Sequence, residues 1–62
     1  MYRVRAGLLN LLKCPNVDCD VLEDLHAGQS VAVISPNLNG WFLVRLPGTD
    51  REGYVEARFL ER

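Results

Sequence analysis

The chain is poor in most of what catalysis, membrane insertion and nucleic-acid binding require. It holds one histidine, one tryptophan and two cysteines among 62 residues, and no His, Cys and carboxylate set converges in its sequence, so an enzymatic role is not expected. Its apolar runs fall far short of the roughly 20 residues that span a bilayer, which argues against membrane insertion. Neither sign of charge dominates: 7 basic residues stand against 8 acidic ones, net −1. That balance argues against a sequence-independent hold on nucleic-acid phosphates, which needs a surplus of lysine and arginine. No stretch of helix length is amphipathic, so a helical bundle is excluded as well.

Short length sets a second bound. Sixty-two residues make one domain, spanning 1–62, and a chain of this size buries only about 60% of the surface it exposes when unfolded. Little core is left over to enclose an active site, and a monomer is expected. The opening Met1-Tyr2-Arg3-Val4-Arg5-Ala6 alternates instead of forming an apolar block with a cleavage site, so no secretory signal is visible. Two readings stay open: a cytoplasmic protein if Met1 is the true start, or a domain cut from a longer chain.

What is present reads as short strands. Tyr2, Val4 and Ala6 alternate with Arg3 and Arg5, giving a first strand with one wet face. Leu8-Leu9-Asn10-Leu11-Leu12 is an apolar run that periodicity leaves between strand and helical turn, and Pro15 beyond it favours a strand. Lys13 to Asp20 is rich in turn formers and reads as a long loop. Val21 to Leu25 leads to a turn at His26-Ala27-Gly28-Gln29, where Gly28 supplies a positive φ. Val31 to Ile34 is β-branched, and the loop Ser35 to Gly40 closes on Asn39-Gly40, the strongest hairpin signal in the chain.

In Trp41-Phe42-Leu43-Val44-Arg45-Leu46, alternation puts Phe42, Val44 and Leu46 on one face and Trp41, Leu43 and Arg45 on the other. Pro47 to Gly53 reads as a second hairpin turn. After Tyr54-Val55, the segment Glu56-Ala57-Arg58 suits a single 3₁₀ turn before Phe59-Leu60. The expectation is an all-β architecture of about five short strands with one 3₁₀ turn near the C-terminus. At this size a partly open barrel is favoured over a sandwich.

Trp41 is the leading candidate for ligand contact, because it lies opposite the core-facing Phe42 and Val44 and an exposed indole offers a large rigid surface with one donor. The competing reading packs it beneath the loop from Cys14 to Asp20 as a satellite of the core. Tyr54, Phe59 and the loop Leu12 to Asp20, with Leu12 and Asn16 as its named contact residues, complete the candidate ligand-binding set around it, although for Tyr2, Tyr54 and Phe59 partial burial is favoured over contact.

Cys14 and Cys19 leave three readings: reduced thiols, a disulfide closing the loop, or part of a metal site. Structural zinc wants four ligands, and His26 with Asp18 and Asp20 does not complete a set, so no metal is expected. Thiols are preferred slightly over the disulfide. His26 reads as an exposed turn residue. The acidic cluster Asp18, Asp20, Glu23 and Asp24 reads as a solvated loop, and Arg3, Arg5, Arg45, Arg51 and Arg58 are scattered.

The residues Val4, Ala6, Leu9-Asn10-Leu11, Pro15, Val21-Leu22, Leu25, Ala27-Gly28, Gly40-Trp41, Val44, Gly53-Tyr54-Val55 and Phe59-Leu60 together give the chain a pattern that resembles the bacterial SH3-like domains from Val4 to Leu60. The resemblance implies a small SH3-like, partly open barrel acting as a non-catalytic binding module without a cofactor. Such modules bind peptides or peptidoglycan. Leu12 stands where the family commonly has arginine, and Cys14 where it has the Gly of a Gly-Pro pair. The C-terminal stretch is also similar to eukaryotic SH3 domains, but Glu56 replaces the groove Pro and Phe59 the groove Tyr. Recognition of polyproline helices is therefore not expected. The leading expectation is protein or peptide binding around Trp41, with peptidoglycan targeting as the alternative.

Overall fold

The computed structural model describes residues 2–36 and 39–62. Among the described residues, seven strands follow one another: β1 Tyr2–Val4, β2 Leu8–Leu12, β3 Val21–His26, β4 Ser30–Ser35, β5 Trp41–Arg45, β6 Glu52–Glu56 and β7 Leu60–Glu61. A 3₁₀ turn at Ala57–Phe59 separates the last two. All pairings are antiparallel, in the order β3-β2-β6-β5-β4-β1-β7, so β3 and β7 form the edges of an open sheet. The count of seven exceeds the five expected. Val21–His26 is a full strand where the sequence suggested only an approach to a turn, and the two-residue β7 is too short to register as a pattern.

One core draws on every strand. Val4, Leu9, Leu11, Leu25, Val31, Val44, Val55 and Leu60 are buried together with Leu46, and Tyr2, Ala6, Val33, Phe42 and Phe59 pack against them. A sheet that supplies one core from all seven strands has to curl, and the extents of 25 × 22 × 21 Å are accordingly almost equal. The alternation expected in β5 is present: Val44 and Leu46 are buried and Phe42 rests on the core, meeting Tyr2 edge-on with ring centroids 5.6 Å apart. Such T-shaped contacts align the positive edge of one ring with the negative face of the other.

The connections follow from local chemistry. Asn39 and Gly40 both take the left-handed conformation, at φ 56° and 87°, which suits the right-handed twist of the hairpin into β5. Asn37 and Leu38 of the same expected loop lie outside the described residues. After β3, Gly28 adopts φ 85° and donates its N–H to the Val4 carbonyl at 2.8 Å, while Val4 donates to Gln29 at 2.9 Å. His26 is exposed at this turn, where its N–H donates to Gln29 Oε1 at 3.0 Å.

Gly53 has a different reason to be glycine. A Cβ there would stand 2.6 Å from Leu11 Cγ and 2.9 Å from the Leu12 carbonyl oxygen. β6 reaches β2 only because this side chain is missing, and that approach sets Tyr54 opposite Leu12.

Candidate functional site

The outer face of the sheet is built from cross-strand pairs. Register places Trp41 opposite Glu56, Leu43 opposite Tyr54 and Arg45 opposite Glu52. On β2, alternation turns Leu9 and Leu11 inward to the core and leaves Leu8, Asn10 and Leu12 outward. Leu12 is only 5% exposed yet lies outside the main core cluster. Its cover comes from the outer face itself.

That cover forms a groove of about 180 Å³, lined by Leu8, Leu9, Asn10 and Leu12 from β2, Val17 from the loop, Val21 from β3, Trp41, Glu56 and Phe59. Leu8, Val17 and Val21 are 59%, 67% and 51% exposed, so three apolar side chains meet water at the groove, beside the polar Asn10 and Glu56. Trp41 is half-buried along one wall. It lines the groove together with the loop residue Val17.

Two polar side chains, Asn10 and Glu56, line the groove. Glu56 Oε2 accepts from Arg58 Nε at 2.8 Å, and the Arg58 guanidinium lies 4.8 Å from the centroid of Phe59. Further along the same face, Arg45 Nε donates to Glu52 Oε2 at 3.0 Å. That hydrogen bond, and then the charge of Glu52, raise the Arg45 pKa above the ordinary arginine value. Arg51 pairs with Glu23 across the mouth of a second hollow of about 360 Å³, lined by Leu22, Glu23, Arg51 and Glu52. Three of that hollow's four lining side chains are already in ion pairs, so it offers a ligand little that is unpaired.

Of the expected ligand-binding residues, Trp41, Phe59 and Leu12 meet in the groove, Leu12 as its floor. Tyr54 shares the outer face but does not line the groove. Asn16 does not line it either: its Oδ1 accepts the Asp18 N–H at 2.9 Å and braces the loop. Cys14 and Cys19 are joined in a disulfide, with Cα atoms 5.9 Å apart, where two thiols were preferred from the sequence. Two cysteines of one tight loop are held within the 4.4–6.8 Å range that a bridge spans.

Val17 belongs to the loop expected beside Trp41, whereas Leu8, Leu9, Asn10, Val21 and Glu56 line the groove without having been placed in the ligand-binding set. Leu8 and Asn10 were legible, since they share the period-2 face of Leu12. Val21 was not, because an irregular register sets it opposite Leu12. Among the described residues, no three His, Cys, Asp or Glu side chains gather as a metal-binding group, and no helix is long and apolar enough to cross a membrane. Compared with known proteins, the chain matches no family model, and no curated protein and no solved structure is significantly similar to it.

Proposed function

We propose that this chain is a non-enzymatic binding module of SH3-like build that takes a protein or peptide segment into the groove beside Trp41. The size and lining of the groove carry the reading. At about 180 Å³ it is smaller than the roughly 300–1,000 Å³ usual for cofactor and substrate pockets. It suits one large apolar side chain of a partner, with Leu8, Val17 and Val21 meeting the flanking residues. The SH3-like assignment draws support from the curled antiparallel sheet, the single core and the 3₁₀ turn before the last strand.

The test is selection of a displayed peptide library on the immobilised domain, followed by titration of the enriched peptides. Enriched peptides are expected to share one large apolar residue. Trp41→Ala is expected to weaken them by about 30-fold, the equivalent of a hot-spot loss of about 2 kcal/mol. Absence of enrichment, or equal binding by Trp41→Ala, refutes the reading. Peptidoglycan targeting is the alternative that the resemblance carries, and Leu12 is buried at the position where that resemblance expects arginine. Co-sedimentation with purified peptidoglycan that survives Trp41→Ala would put the alternative first.

A further inference from the structure

We infer that the Cys14–Cys19 disulfide sets the shape of the Trp41 groove, and that its reduction opens one wall and makes peptide capture redox-dependent. The inference rests on the groove being the binding site. Seven of the nine lining residues lie on strands, where the ladders hold them, and Phe59 lies on the 3₁₀ turn against the core. Val17 alone comes from the loop between β2 and β3.

No residue of that loop, 13–20, is buried. Its hydrogen bonds are Lys13 N–H to Asp20 O at 3.0 Å, Asn16 N–H to Cys14 O at 2.8 Å, Cys19 N–H to Asn16 O at 3.1 Å and the Asn16 to Asp18 brace. They join residues that stand at the surface, where water competes for the same donors and acceptors. The disulfide is the one link in the loop that water cannot replace. It closes the segment Cys14 to Cys19 with Val17 inside the ring, and so fixes where Val17 stands relative to Trp41.

Both cysteines are half-exposed, within reach of a dithiol reductant. A reductant thiolate attacks one sulfur and forms a mixed disulfide, and the second reductant thiol displaces it. The products are two cysteine thiols and the oxidised, disulfide form of the reductant, and a disulfide oxidant reverses the exchange.

The chain contains one tryptophan, so fluorescence reads the groove without a ligand. The oxidised chain is compared with the chain reduced by dithiothreitol, with two titrated thiols marking complete reduction and far-UV circular dichroism following the strands. Reduction is expected to move Trp41 emission to longer wavelength and to increase acrylamide quenching at constant strand signal, both reversed on re-oxidation. Val17→Ser with the disulfide intact is expected to reproduce the shift. Unchanged emission after two thiols have titrated overturns the inference, and so does loss of the strand signal in step with the emission change. Neither readout involves a peptide, so failed peptide selection refutes the binding reading while silent fluorescence refutes the switch.

Discussion

Gly53→Ala tests the packing on which the groove depends. The added methyl group would meet Leu11 Cγ at 2.6 Å, Leu11 Cδ1 at 2.9 Å and the Leu12 carbonyl oxygen at 2.9 Å. Leu11 is 1% exposed and sits within the core cluster, and the carbonyl belongs to the β2 backbone. Relief therefore requires β6 to move away from β2, at an overpacking cost of about 1–3 kcal/mol. In a chain of 62 residues, with an unfolding entropy of about 2.1 cal/mol/K per residue, that cost lowers Tm by about 8–23 °C. Thermal unfolding followed by far-UV circular dichroism measures the shift. Gly7→Ala is the control, since a Cβ at Gly7 meets nothing within 4 Å and its φ is not positive. If both variants melt with the parent, β6 does not need glycine to approach β2, and the account of how Leu12 becomes the groove floor fails.

Three further outcomes are expected. Trp41→Ala costs about 1–2 kcal/mol in urea unfolding, below the 3–5 kcal/mol of a fully buried aromatic, because Trp41 is only half-buried; a larger loss would make it a core residue first. Reduction of Cys14–Cys19 lowers stability by about 2 kcal/mol, as expected for a loop of this length, which a urea titration with and without dithiothreitol reads as a lower midpoint with unchanged slope. Asn39→Ala costs about 1–2 kcal/mol because alanine is strained at φ 56°, whereas Asn39→Gly leaves Tm close to the parent value; equal melting of both variants would remove the hairpin argument.

The sites of agreement and difference have physical causes. The two faces of β5, the Asn39-Gly40 turn, the turn at Gly28 and the 3₁₀ turn were legible because each depends on neighbours in sequence: side-chain alternation, tolerance of positive φ, or the length left between strands. Trp41 was placed in the candidate site from its strand face, and Tyr54 and Phe59 from being aromatic. Leu12 and Asn16 came with the loop from Leu12 to Asp20, which did not reveal that Asn16 spends its side-chain oxygen on Asp18. Val17 entered only through its loop, and Val21 was missed because the register shift that sets it opposite Leu12 leaves no local pattern.

By itself the sequence determined an all-β chain, the inward and outward faces of β1 and β5, and most of the turns between strands, since these are set over two to six residues of local stereochemistry. Tertiary structure decided the order β3-β2-β6-β5-β4-β1-β7, the close approach of β6 to β2 at Gly53, and the meeting of Leu8, Val17, Val21, Trp41 and Phe59 in one groove. Those contacts join residues up to about fifty positions apart, and their pairing follows from how one curled sheet buries a single core, which no local pattern encodes.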